Sequence, residues 1–223
     1  MSHEKHLGVG LYSVAEAARL LQTPRRTLSR WVEGYVQALR GGEKTYLPVI
    51  EADDPSELSF GDLVELLYVK GFREAGVPLD EIRQTIIRFK DEWVEEYPLA
   101  KKRFAVNGRK LLLEEGGEWR TALSGQHCAF IEEVGHRLVH IGDLATEWRP
   151  LGWDRQVVLD PSRSFGKPID RQSGAHTLFL TQAVESGDSL ESVAWWYGTT
   201  TNGVRDAVEF EQLLTVRSRQ TAA

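Results

Sequence analysis

"SVAEAARLLQTPRRTLSRWV", residues 13–32, reads as two short helices joined by a tight turn. Ser13 stands three residues before Glu16, which is capping-box spacing. The hydroxyl can accept a backbone N–H while the carboxylate reaches back to the Ser N–H. Val14, Ala17, Ala18 and Leu21 then share one helical face, and the two alanines let a second helix cross closely. Gln22 occupies the turn, where glycine is common. Thr23 is placed to cap the second helix, with Pro24 at its first position. Leu28, Trp31 and Val32 face back toward the first helix, which leaves Arg25, Arg26, Thr27, Ser29 and Arg30 outward. Arginine grips phosphates or guanine edges, and hydroxyls donate to phosphate. The same pattern also suits a helical hairpin with a solvated charged face.

The flanking sequence favours DNA. In "LRGGEKTYLPVI", residues 39–50, Gly41-Gly42 between extended flanks signals a hairpin. Arg40, Lys44 and Tyr46 on that hairpin are placed to lie along a DNA backbone. "LSFGDLVELLYVKGFREAGVPLDEIRQTIIRF", residues 58–89, gives two further helices. Ser59 caps the first, whose apolar face carries Leu63, Leu66, Leu67 and Val69. Gly76-Val77-Pro78 breaks the chain, and Ile82, Ile86 and Phe89 point inward from the second. Over about residues 10–90 this order resembles the MerR-type winged-helix DNA-binding domain. The stretches that carry the resemblance are "YSVAEAARLLQTPRRTLSRW", "LSFGDLVEL" and "FREAGVPLDEIRQTI". It implies a winged helix on duplex DNA, usually as a dimer on a two-fold site.

The charge distribution agrees. Of 223 residues with net charge −6, the first 50 hold seven basic and four acidic side chains, a net +3 that leaves −9 for the remainder. A basic front on an acidic body suggests nucleic-acid contact confined to the N-terminus. Cys128 is the single cysteine, so no intrachain disulfide forms, as suits a reducing cytoplasm. No apolar run is long enough for a membrane span, and "MSHEKHLGVGLYS" lacks the apolar stretch of a signal peptide. Cytoplasmic localisation is therefore expected.

In residues 93–153 the pattern turns to strands. "RFAVNGRKLLLEE" places Asn107-Gly108 between apolar stretches, a strong hairpin signal, and "HCAFIEEVGHRLVHIG" suggests further strands. His127, Cys128, His136 and His140 match no zinc spacing, so no metal and no cofactor are expected. No nucleotide-binding glycine pattern and no paired nucleophile and base are present, and a non-enzymatic protein follows. Asp160 and Asp170 flank a Gly/Pro loop and read as turn residues.

Beyond the strand Val157–Leu159 and the loop Asp160–Gly174, three helices are expected: one near Thr177–Ser186, stopped by Gly187, a second capped by Ser189, and a third. Here "DP…FGKP", "HT" and "VESGDSLESVAWWYGTTTNGVRDAVEFE" resemble the small helical domain of a group of VapB-like antitoxins. "RFAVNGRKLLL" and "SGQH" extend the resemblance over about residues 104–214. It implies an antitoxin that blocks a PIN-like ribonuclease toxin and represses its own operon.

The opening stretch has an echo. Laid without gaps from Ser189, "SLESVAWWYGTTTNGVRDAV" covers "SVAEAARLLQTPRRTLSRWV", with Val193 and Ala194 on Ala17 and Ala18, and Val204 on Leu28. The second outer face carries Arg205 among Asp206, Glu209 and Glu211, and such a face repels phosphate. It is expected to bind protein, either a second copy or the toxin, through Trp195, Trp196, Tyr197, Arg205 and Phe210. The expected fold is α+β, mainly α. Residues 1–92 form a winged helix-turn-helix, 93–153 a β-rich segment, 154–215 a three-helix helix-turn-helix-like domain, and 216–223 a disordered tail. The leading function is an operator-binding antitoxin acting as a homodimer. The alternative is a MerR-like regulator that senses a small molecule, although "IIRFKDEWVEEYPLAKK" stops at Pro98, short for the usual dimerising helix.

Overall fold

Helix α1 (Val14–Leu20) starts at Ser13, whose hydroxyl accepts the Glu16 N–H at 3.2 Å. Only this half of the expected capping box forms. The Glu16 carboxylate turns away to accept two 2.7 Å hydrogen bonds from Lys167 Nζ, far along the chain. The turn passes through Gln22 at φ +50°, the left-handed conformation that glycine adopts more readily. Helix α2 (Arg25–Glu33) follows Pro24, with no side-chain cap. Thr23 is not the cap that its type suggests. Its N–H closes the end of α1 on Ala18 O at 2.9 Å, and its hydroxyl donates to Leu21 O. Leu28, Trp31 and Val32 bury against Ala17 and Ala18 as the apolar spacing requires.

The computed structural model describes residues 12–93, 97–100, 104–107, 110–115, 118–124, 136–142 and 144–220. Within them, β1 (Tyr35–Leu39) and β2 (Gly42–Tyr46) form an antiparallel hairpin in the register Tyr35↔Tyr46 to Leu39↔Gly42. Gly42 still pairs with Leu39, so the tip is Arg40-Gly41, one residue earlier than expected. Ser59 and Asp62 make a complete capping box at the start of α3 (Phe60–Glu74). This helix is buried on nearly every face, including Glu65 and Tyr68. Helix α4 (Leu79–Trp93) lays Ile82 and Ile86 on the core, and the side chain of Phe89 lies outside the described residues.

Three antiparallel strands, β3 (Phe104–Asn107), β4 (Lys110–Glu115) and β5 (Glu118–Ser124), form one sheet. A second hairpin joins β6 (Leu138–Ile141) to β7 (Leu144–Trp148). Trp148 bridges to Leu159, next to β8 (Val157–Val158), which pairs with β9 (Ile169–Asp170). Asp160 accepts from Ser162, and Asp170 accepts from Ser173 at 2.7 Å through both backbone and hydroxyl, the local bonds of turn residues. The chain ends in α5 (Thr177–Glu185), α6 (Leu190–Tyr197) and α7 (Thr201–Gln220). Helix α7 continues past residue 216, where a frayed tail was expected, because "VRSRQ" holds no glycine or proline to stop it.

One apolar cluster runs through both ends of the chain. Tyr12, Leu28, Phe60, Leu63 and Leu66 share it with Trp148, Val157, Leu159, Phe210 and Leu214. A smaller cluster, Leu180, Val193, Ala194, Val204 and Ala207, holds α5, α6 and α7 together. Helix α7 therefore belongs to both. Polar contacts reinforce the junction along α1. The Tyr12 hydroxyl donates to Gly166 O at 2.6 Å, Lys167 meets Glu16, and Arg19 pairs with Glu211. Burial pushes the Tyr12 phenol upward, so it remains a neutral donor.

Candidate nucleic-acid interface

The basic face is assembled by α2 and the β1–β2 hairpin. Arg25 and Arg26 are exposed in the first turn of α2, while Thr27, Ser29 and Arg30 are partly covered. The Ser29 hydroxyl donates to Glu33 at 2.6 Å, one helical turn on, and so its proton is already engaged. Gly34 (φ +73°) turns the chain sharply from α2 into β1, and a Cβ there would stand 2.5 Å from Tyr46 O. This turn brings Tyr35 back beneath Arg30, whose guanidinium carbon is 4.5 Å from the ring centroid. The Tyr35 ring stacks on its cross-strand partner Tyr46 at 4.5 Å and 9°. Lys44 Nζ lies 4.6 Å from the Tyr46 centroid.

Arg30, Lys44 and Tyr46, expected separately, are thus brought together by Tyr35, which the sequence reading did not single out. The available signal was the symmetric placing of tyrosines at both ends of the hairpin. Arg40 stands apart at the exposed tip, roughly 16 Å along the strands from the tyrosine pair. Arg83 fixes the hairpin's exit, donating to Leu47 O at 2.8 Å and Pro48 O at 3.0 Å.

The second frame repeats the first in geometry. The Ser189 hydroxyl accepts the Ser192 N–H at 3.2 Å, as Ser13 does from Glu16. Gly198 (φ +69°) occupies the place of Gln22, and Thr199 N–H donates to Ala194 O at 2.9 Å where Thr23 meets Ala18. Helix α7 begins at Thr201, the position matching Arg25.

Its outer face, however, is not the acidic surface expected. Asp206 is buried and accepts from Arg155 Nε at 2.7 Å and from the Gln156 N–H at 2.8 Å. Glu209 also pairs with Arg155, and this hydrogen bond does most to raise the guanidinium pKa. Glu211 is buried between Arg19 and the Thr177 hydroxyl. These carboxylates mount α7 on its neighbours.

Phe210 is likewise corrected. It is only 2% exposed, because it lies on the same face of α7 as Ala207 and Leu214, and it fills the large core. Arg205 is exposed and donates to Asn202. Trp195, Trp196 and Tyr197 are 80%, 54% and 37% exposed. The matching positions in the first frame are Arg19, Leu20 and Leu21. There both leucines are buried and Arg19 is paired.

Among the described residues, no group of three His, Cys, Asp or Glu side chains could hold a metal ion. His127 and Cys128 lie outside those residues. No helix among the described residues is long and apolar enough to cross a membrane.

The comparisons agree with a helix-turn-helix regulator. Residues 10–86 match the family described as "Putative DNA-binding HTH domain". The chain is 31% identical to "Putative antitoxin VapB45" of Mycobacterium tuberculosis, over 92% of this chain and 95% of that protein. It therefore belongs to the family of this VapB-type protein. It is also 25% identical to the protein Rv2308 of the same organism, over 94% of this chain and 93% of that one. The crystal structure of Rv2018 from Mycobacterium tuberculosis shares the fold. Its TM-score is 0.63 at 24% identity, covering 90% of this chain and 98% of that one.

Proposed function

We propose that this protein is an antitoxin that neutralises a PIN-like ribonuclease and binds its own operator as a dimer. The observation that carries the DNA half is the set of exposed or partly exposed cations on α2 and the hairpin, with Arg30 and Lys44 gathered on the tyrosine pair. In this reading α2 enters the major groove in MerR-type winged-helix fashion. Arg25, Arg26, Thr27 and Arg30 face the DNA, Ser29 serves as an acceptor, and Arg40, Lys44 and Tyr46 of the wing lie against the backbone. Family membership supports the antitoxin half. The exposed aromatics Trp195, Trp196 and Tyr197, with Arg205 nearby in sequence on α7, form the surface for the toxin or the second copy. The two surfaces lie on different helix-turn-helix frames, so one chain can serve both partners.

The test is operator binding across a salt series, with Arg25→Ala, Arg26→Ala and Arg30→Ala compared with the unmodified chain. Each cation that meets a phosphate should lower the salt slope by about one when removed. An unchanged slope removes that arginine from the phosphate contacts. Co-purification of the full chain with the product of the adjacent gene tests the toxin half. The expected companion is a small acidic-motif ribonuclease, and a transporter or another enzyme in that position speaks against it.

A further inference from the structure

We infer that Tyr35 is a positioning residue for DNA, the centre of a ladder that presents Arg30 and Lys44 together as a phosphate clamp. This rests on the DNA-binding reading above and assigns a role to a residue outside the expected contact set.

The order of the ladder is Arg30, Tyr35, Tyr46, Lys44, with successive spacings of 4.5, 4.5 and 4.6 Å. A guanidinium stacked on a ring uses its flat face, and the N–H groups in its plane remain available to phosphate oxygens. The ammonium of Lys44 likewise sits over a ring while keeping three donors. Among the described residues, neither cation is ion-paired with a carboxylate. Both charges are therefore held in place by ring faces, which do not compete with phosphate for the N–H donors.

The ladder also joins two elements. Arg30 is on α2, whereas Tyr46 and Lys44 are on β2, and Tyr35 touches both sides. The hairpin is otherwise exposed almost throughout, so little apolar packing fixes its angle to α2. Within the ladder, the Arg30–Tyr35 contact supplies that restraint, and the stack on Tyr46 carries it across the hairpin. Preorganised side chains lose less freedom on binding than free ones.

The experiment uses the full chain and a short mixed-sequence duplex, because a phosphate clamp acts without sequence. Tyr35→Ala should weaken binding about 5- to 10-fold, in line with the loss of one cation–π and one stacking contact. It should also reduce the salt slope, since two cations lose their fixed positions. Tyr35→Phe should restore both values, because the ring and not the hydroxyl makes the ladder. Tyr35→Ala in an Arg30→Ala background should add much less than in the unmodified chain. Thermal melting checks that Tyr35→Ala remains folded. If the unmodified protein binds the duplex while Tyr35→Ala matches it in affinity and slope, or if Tyr35→Phe is as weak as Tyr35→Ala, the clamp is overturned alone. If the unmodified protein fails to bind any duplex at low salt, the DNA-binding reading falls and the clamp with it.

Discussion

Arg19, on the first helix of the helix-turn-helix, is ion-paired with Glu211 on the last helix of the chain. The pair sits beside the apolar junction of α1 and α7, where Phe210 and Leu214 enter the core of the N-terminal helices. The helices of the N-terminal helix-turn-helix are thus mounted on the C-terminal helices, and neither end can leave without exposing the other's apolar side chains.

The two halves of this pair are unequal, and so are the expected costs of breaking it. The Glu211 side chain is 7% exposed and that of Arg19 is 39% exposed. Arg19→Ala strands a buried carboxylate and should destabilise the chain by about 3–5 kcal/mol. Glu211→Ala frees an arginine that water can reach, and leaves the Thr177 hydroxyl with its longer 3.5 Å bond to Pro168 O. About 1–3 kcal/mol is expected. Urea denaturation of both variants reads the difference, and equal losses would contradict this asymmetry.

Phe210 and Trp195 separate stability from recognition. Phe210→Ala opens a cavity in the shared core and should cost about 3–5 kcal/mol. Trp195→Ala removes a side chain already in water and should change stability by no more than about 0.5 kcal/mol. If α6 carries the partner surface, Trp195→Ala should nevertheless weaken toxin capture or self-association, measured by light scattering and calorimetry.

The N-terminal fold was legible because its cues are local. Caps, apolar spacing and a proline placed the four helices within a residue or two, and the echo at Ser189 was visible in the spacing alone. The misread residues depend on distant partners. Glu16 satisfied a local capping rule, yet Lys167 lies close enough to claim its carboxylate. Asp206, Glu209 and Glu211 looked like a solvated acidic face until folding brought Arg155, Thr177 and Arg19 to them. Helical periodicity does place Phe210 with Ala207 and Leu214, but a second core beneath that face has no sequence signal. Tyr35 was passed over because a stacked pair requires a strand register that the sequence does not state.

Gly34→Ala should distort the turn that creates the basic surface. Its φ of +73° disfavours any Cβ, and Tyr46 O occupies the space. Destabilisation of more than about 1 kcal/mol is expected. The hairpin should shift away from α2 and duplex binding should weaken, although no charge is lost. Fluorescence titration with labelled duplex, beside a thermal melt, measures both. Unaltered binding by a folded Gly34→Ala protein would show that the hairpin position is irrelevant to DNA.

Glu65 on α3 gives the chain a pH dependence of defined sign. The carboxyl is fully buried, and burial pushes its pKa from 4.5 up to about 7. The Leu99 N–H, donating at 3.2 Å, and the nearby Lys90 charge oppose this, while Asp62 and Glu51 add to it. A carboxyl whose folded pKa is raised holds its proton more tightly in the folded state. Its contribution to stability is therefore fully present below about pH 4.5. That contribution falls as pH rises toward 7 and is flat above, by an amount on the order of 3 kcal/mol at most. Glu65→Gln keeps a carbonyl to accept the Leu99 N–H and cannot ionise. Its stability should match that of the unmodified chain near pH 4 and exceed it by about 1–3 kcal/mol at pH 8. Urea midpoints of the two proteins across that range test this directly. Parallel pH curves for the two proteins would mean that Glu65 is ionised throughout and is not responsible for any loss.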